Sequence, residues 1–465
     1  MARPVSPETR PRLYQIRRDL AAVPPAAFLA AAHRGPRGFW ASGRRWVAHA
    51  GAMAEVRVDG GRAESASADR RSRFAVVQDR SARLFGKIGG AGDSRVFGGF
   101  SFATRRTDDP VWSSFPPARF QLPAAELEHD PRAGKCSLLV RGGGRRQAEE
   151  SWAGWADRLA RSGAAGPLGP PRRIGSGVRG TRESRAAERA AWSRMVWRTL
   201  RRIQVGEAEK VVLARTLDVT PGRQVSPLDL VLALWQESHG SHVFLFEPEP
   251  GRAVVGAAPE IIATVVNGVM RGTAVAGSVG VGADSVETAQ LARRLFNSDK
   301  DRAEHDFAVR DMVARLSALG CTVERDVEPH VLTLARIQHL ETKIAAGMPE
   351  GVTLLDILAS LHPTPAVCGM PRNVALSILT ESEPFDRGWY AGPVGWFGSG
   401  GKGIFVPALR SAVTHGVGWR LFAGAGIVPG SDPSLEWEET ELKFDPVLRA
   451  MARAEFPARA ATGSG

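Results

Sequence analysis

Cysteine is scarce. Three residues, Cys136, Cys321 and Cys368, lie far apart in a chain of 465 and lack metal-ligand spacing. They read as small buried thiols of a reduced, cytoplasmic protein. Long apolar runs are also missing. None approaches the roughly 20 residues that span a bilayer, so no membrane association is expected. The first residues, MARPVSPETRPRLYQIRRDL, are basic with no apolar core behind them and do not read as a secretion signal. Phosphate-binding loops are absent: there is no GxxxxGK[ST], and no GxGxxG follows a strand. No repeat, low-complexity tract, helix-turn-helix or zinc finger is visible. That matters because the chain is strongly basic, with a net charge of +12, a balance that raises the question of nucleic acid. The arginines are scattered, with some density over Arg172–Arg202, where the later part reads as a solvated helix face. A nucleic-acid-binding protein is thus the alternative from another class, and it predicts salt-sensitive retention on DNA or RNA. The favoured reading has no nucleic acid partner. A basic surface equally draws in a small dianionic substrate.

What is present is ordinary for a globular protein: 43% hydrophobic and 24% charged residues. Residues 1–165 are the less regular part. They hold Gly-rich turns (GKIGGAGDSRVFGGFSF), strand-type runs at Trp46–His49, Ala75–Gln78 and Ser137–Arg141, and the stretch VWSSFPPARFQLP. They are expected to add strands to a shared core. Gly163–Gly180, rich in Gly, Pro and Arg, is the expected flexible connection. Residues 181–455 form the expected core. Helical spacing begins near Glu183, with Ala190, Trp192, Met195, Val196, Leu200 and Ile203 as one buried stripe ending at Gly206. Strands are expected at Lys210–Leu217, His242–Glu247, Arg252–Gly256, Ile261–Val266 and Gly268–Ala276, the last two joined at Asn267-Gly268. One long helix is expected over Ser285–Leu319. Strands follow at Arg336–Leu340, Val394–Phe397, Ile404–Ala412 and Trp419–Ala425, then a helix over Pro433–Arg453 capped by Asp432. Strand pairs mixed with helices, without strict βαβ alternation, predict an α+β fold.

Two helices carry paired acids. Asp301 and Glu304 are three residues apart, as are Glu436 and Glu439. That spacing puts both side chains of a pair on one helix face. Two such faces, if opposed, would cage a hard cation such as Mg²⁺ in carboxylate oxygens. Helices are full of exposed acids, so spacing alone does not establish a metal site. Lys210 opens an otherwise apolar strand, and Glu260 sits in the turn GAAPEII. Each alone reads as solvent-facing. Together, buried on opposite sides of a substrate, they would make a general base and a general acid. The Gly-rich strand ends Ala274–Ser278 and Ala423–Pro433 would let backbone approach a ligand. Arg410 and Lys443 are cations suited to carboxylates.

The ordered series KVVLAR, GAAPE, AGS, NSDKDRAEH, QHL, LHPTPAVCGMPR, YAGPVGW, ALR, AGAGIV with GSDP, and E..ET..K resembles the chorismate-utilising enzymes. These comprise the anthranilate, aminodeoxychorismate, salicylate and isochorismate synthases. The likeness covers about Glu207–Leu448 and extends more loosely through FGGFSF and the FP..RF.LP stretch. The two ammonia-using types usually lack a lysine at Lys210 and read differently over LHPTPAVCGMPR. Salicylate synthases carry a threonine where this chain has Ala366. The chain therefore looks like an isochorismate synthase, with salicylate synthase as the alternative, since Tyr390 and Leu409 also occur there. Cys368, where glycine is commoner, and Ile404, where an acid is common, depart from the pattern.

The resemblance implies two packed, mostly antiparallel sheets with helices outside. It implies a monomer acting on chorismate with Mg²⁺, in menaquinone or catechol siderophore biosynthesis. It also implies roles. Lys210 would activate water for ring carbon 2, and Glu260 would protonate the hydroxyl leaving ring carbon 4. Glu304 and Glu439 would hold Mg²⁺, helped by Glu436 and Asp301. Arg410 and Tyr390 would bind the enolpyruvyl carboxylate. Gly277, Ser278, Gly424, Ala425 and Gly426 would line the substrate, with His339 and Ala366 along its ring and Lys443 near the metal-bound carboxylate. His362, in the HPTP turn, reads as structural.

Overall fold

The computed structural model describes residues 13–60, 72–90, 93–104, 108–161, 182–238, 240–333 and 337–455. The connection expected at Gly163–Gly180 lies outside them, as does Arg336. Among the described residues the strands form two sheets. One has twelve strands, in the order Gly369–Met370, Lys210–Val219, Gly418–Ile427, Ser411–His415, Arg252–Ala258, His242–Glu249, Arg37–Ser42, Arg45–Ala50, Ala125–Asp130, Lys135–Gly142, Leu13–Leu20 and Ile88–Gly90. The other has ten and is built around Val269–Gly280, Ile337–Gly347, Gly403–Pro407, Pro393–Gly398, Arg95–Phe100 and Ala118–Leu122. Pairing is antiparallel except between Leu13–Leu20 and Ile88–Gly90. Strands from the first 142 residues thus lie within both sheets.

Alternation along the strands gives each sheet two apolar faces. Trp40 and Phe244 of the first sheet meet Phe97 and Val394 of the second in one core cluster. The outer face of the first sheet packs on the helices Pro227–Glu237 and Pro433–Glu455 through Val231, Leu234, Phe444 and Leu448. The outer face of the second packs on Asp299–Ala318 and Leu354–Leu361 through Val309, Met312, Ile357 and Leu358. None of the described helices is long and apolar enough to cross a membrane.

Several expected elements differ in the structure. Ala75–Gln78 is not a strand but part of the helix Arg73–Phe85, whose N-cap Ser72 accepts from the Ala75 N–H. Arg73, Phe74, Val77 and Ser81 are its buried positions, so the apolar run is one turn of an amphipathic helix. The expected helix Ser285–Leu319 is two helices, Ser285–Phe296 and Asp299–Ala318. Asn297 ends the first, and the Ser298 side chain caps the second by accepting from the Asp301 N–H. Ala190 is exposed and drops out of its stripe, while Trp192, Val196, Leu200 and Ile203 are buried. The expected strand Ile404–Ala412 breaks in two. Gly403–Pro407 belongs to the ten-stranded sheet and Ser411–His415 to the twelve-stranded one. Between them Arg410 adopts a φ of 45°, the left-handed conformation that a sharp change of direction needs.

Candidate functional site

The site lies where the chain crosses from one sheet to the other. Arg252–Ala258 is in the first sheet and Ala263–Val266 in the second, so Pro259 and Glu260 form the crossing. Arg410 occupies the reverse crossing described above. Both side chains line one pocket, together with Lys210, Gly277, Ser278, Glu304, His339, Ala366, Tyr390, Gly424, Gly426, Glu439 and Lys443. It encloses about 800 Å³ of space, part of it open to solvent.

Glycines make room for the charged groups. A Cβ at Gly426 would stand 3.0 Å from Cε of Lys210, and one at Gly424 would stand 3.1 Å from Oη of Tyr390. Gly277, at a φ of 71°, sits in a bulge of its strand, between Ala276 and Ser278. The bulge turns the Gly277 carbonyl toward His339, whose Nδ1 lies 3.2 Å from that oxygen and 2.9 Å from Ser278 Oγ. A carbonyl only accepts, so Nδ1 carries the proton. His339 Nε2 is then a lone-pair acceptor, buried and without a partner among the described residues. Burial, then Arg410 and Lys443, lower the His339 pKa to about 3, which keeps the ring neutral.

Two lysines hold the two pocket carboxylates. Lys210 Nζ donates to Glu304 Oε1 at 2.5 Å. Lys443 Nζ donates to Glu439 Oε1 at 2.6 Å and to the Gly424 carbonyl at 2.8 Å. Glu260 is 6% exposed. Burial raises its carboxyl to about 7, against the pull of Lys210 and Lys443, so the proton is held below that pH and lost through it. No side chain among the described residues pairs with the Arg410 guanidinium, whose pKa burial lowers to about 10. Tyr390 stacks on Phe422 with ring centroids 5.0 Å apart, and burial raises its phenol well above the usual range.

Three residues singled out from the sequence do not line this pocket. Asp301 stands behind the bulge, its Oδ1 3.3 Å from where a Gly277 Cβ would lie. Glu436 is buried one helical turn before Glu439. Ala425 alternates with Gly424 and Gly426 and faces the opposite way, packed in the core with Leu213 and Ile427. His362 is buried away from the site, with Nε2 2.9 Å from the Phe102 carbonyl. Val212 and Phe422, which do line the pocket, went unnoticed in the sequence. Each stands two residues from a site residue on the same strand, so the strand period would have found them.

Among the described residues no group of three or more His, Cys, Asp or Glu side chains converges to hold a metal. Glu304 and Glu439 still suit a hard cation of the Mg²⁺ type, which commonly takes one or two carboxylates and fills its shell with water and ligand oxygens.

A family description, chorismate binding enzyme, matches residues 2–452. The chain is 34% identical over 363 residues to the salicylate biosynthesis isochorismate synthase of Pseudomonas aeruginosa, covering 77% of this chain and 74% of that one. It is 34% identical over 261 residues to an isochorismate synthase of Bacillus subtilis, covering 56% of this chain and 55% of that enzyme's length. The fold superposes on the menaquinone-specific isochorismate synthase of Escherichia coli with a TM-score of 0.73 and 26% identity, over 95% of both chains.

Proposed function

The chain belongs to the chorismate-binding enzyme family, as an enzyme of the isochorismate synthase kind, and on that premise we propose that it converts chorismate to isochorismate by adding water at ring carbon 2 and expelling the hydroxyl from ring carbon 4. One observation carries this reading. Lys210 reaches the pocket from a strand of the first sheet and Glu260 from the crossing between the sheets, burial raises the Glu260 carboxyl to about 7, and among the described residues no side chain pairs with Arg410.

Water is a poor nucleophile and hydroxide a poor leaving group. Lys210, parted from Glu304 and with its ammonium proton given up to solvent, takes the proton from water as it attacks. Glu260 delivers its proton to the departing oxygen from the other side. Each transfer contributes typically ~10²–10⁴-fold in rate. Arg410 and Tyr390 bind the enolpyruvyl carboxylate. His339 Nε2 accepts from a ring hydroxyl, and Gly277, Ser278, Gly424 and Gly426 admit the ring against the backbone. Glu304 and Glu439 would hold Mg²⁺, with Glu436 and Asp301 behind them, and the bound ion would neutralise and orient the ring carboxylate. Ala366 offers no hydroxyl to the substrate, which favours isochorismate as the end product over further conversion to salicylate. The name of the Escherichia coli relative favours a menaquinone pathway, and that of the Pseudomonas relative a salicylate one.

Incubation with chorismate and Mg²⁺, followed by chromatographic separation, tests the proposal. Isochorismate is expected. Salicylate with pyruvate would establish the alternative, and unchanged chorismate would refute both. Lys210→Ala should abolish turnover while retaining chorismate binding, and near-normal turnover in that variant would remove the base.

A further inference from the structure

A second cavity opens farther along the strand of Lys210, against the helix of Glu439. Ala214, Arg215 and Thr216 form one wall, Trp437 another, and the helix Arg182–Gln204 the third. The groove encloses about 910 Å³, open mouth included. It shares no lining residue with the substrate pocket.

Its lining is largely apolar: Met195 and Phe385 are partly exposed, while Trp192 and Trp437, 2% and 3% exposed, are buried in the walls. Trp192 Nε1 donates to the Pro433 carbonyl at 3.1 Å. Arg215 is committed, its guanidinium 3.6 Å from the Trp437 ring centre and bound to Thr440 and Glu441. Glu188 on the rim accepts from Ser184 at 2.9 Å.

Arg194 and Arg198, one helical turn apart, complete the rim. On the same helix Arg185 pairs with Glu441, Arg189 with Glu438 and Arg202 with Glu207 and Glu381, while Arg201, outside the groove, has no carboxylate partner among the described residues. Among the described residues no carboxylate pairs with Arg194 or Arg198. Two guanidinium groups spaced by one turn, in a groove that also exposes part of the Phe385 ring and Met195, suit a flat apolar ring bearing a carboxylate: the ring packs on Phe385 and Met195 and the oxygens bridge the arginines. We infer that this groove binds an aromatic carboxylate of the 2-hydroxybenzoate type, as an effector site separate from the substrate pocket. The choice of that acid rests on the proposed function, because loss of pyruvate from isochorismate leaves a 2-hydroxybenzoate.

Titration calorimetry with 2-hydroxybenzoate, in the absence of chorismate, tests the inference. Saturable binding is expected, weakened by about tenfold or more in Arg194→Ala/Arg198→Ala and unchanged in Arg410→Ala. Both rim arginines are exposed, and an unaltered melting curve checks that the double variant folds. Cyclohexanecarboxylate should bind more weakly than the aromatic acid. Binding that survives the double substitution, that is lost with Arg410→Ala, or that never saturates overturns the inference. The titration needs no turnover, so failure of the isochorismate synthase reading would show separately, in the product assay.

Discussion

Replacing Glu260 with Gln should make the protein more stable at alkaline pH while destroying its activity. In the unfolded chain this carboxyl ionises near its ordinary value of 4.5, and in the folded chain it holds its proton to about 7. Below pH 4.5 both states are protonated, and the contribution of the group to stability is fully present. Between the two values the unfolded state binds fewer protons than the native one, so stability falls as pH rises, and the loss is complete above about 7. About 2.5 pH units at about 1.4 kcal/mol each amount to about 3 kcal/mol. Gln keeps the shape and does not titrate. The stability of Glu260→Gln relative to the parent should therefore rise by about 2–3 kcal/mol from about pH 5 to about pH 8. Urea unfolding of both proteins with chelator present measures the difference. Any constant effect of the substitution cancels in the comparison across pH. A difference that stays flat means that Glu260 ionises normally in the native pocket, and its role as acid falls with it. The same proton makes the turnover of the parent decline as pH rises above about 7, while the variant should lose about 10²–10⁴-fold at all pH values.

Glu439→Gln should raise the Mg²⁺ concentration for half-maximal rate by at least the about 10–100-fold that loss of even an outer metal partner costs, and an unchanged metal titration would reject its role. Glu383→Ala should destabilise the fold by about 3–5 kcal/mol in urea unfolding, because it strands a buried arginine. Glu383 and Arg387 are both 4% exposed by side chain, and Arg387 also donates to the carbonyls of Val212 and Val367 at 2.6 and 2.8 Å. Ala366→Thr brings a hydroxyl into the pocket, and pyruvate released from chorismate, read by a coupled lactate dehydrogenase assay, should rise above the parent level.

Local signals were readable wherever the chemistry of the site is local. The hairpin at Asn267-Gly268 has φ of 52° and 73°, the pair that a two-residue turn demands. Asp432 accepts from the N–H groups of Ser434 and Leu435, as a helix cap should. The Lys210 strand, the two acidic helices and the glycine-rich strand ends were visible for the same reason. What stayed hidden depends on partners distant in sequence. FAVV around Ala75 reads equally as strand or helix until Phe74 and Val77 find the core under the second sheet. The Arg387–Glu383 pair unites the Val212 strand with the Val367 loop, and nothing in either segment announces the other. The break at Arg410 is the most consequential case. An apolar run predicts one continuous strand, but the chain changes sheets there, and the change delivers the guanidinium to the site.

On the proposed reading a dianion and a divalent cation enter together, and the charges in the pocket bear on why. With Glu260 protonated, the lining carries three cations (Lys210, Lys443 and Arg410) against two carboxylates, Glu304 and Glu439. The two lysine–carboxylate pairs cancel, and one positive charge remains on Arg410. A dicarboxylate alone would tip the balance negative beside Glu304 and Glu439. A divalent cation alone would compete with both lysines and leave three charges of one sign in a low-dielectric space. Entering together they restore the original balance, and each takes up the partner that the other displaces. On the proposed reading a bound cation would take Glu304 as a ligand, and Lys210, parted from it, would act as base after giving its ammonium proton to solvent.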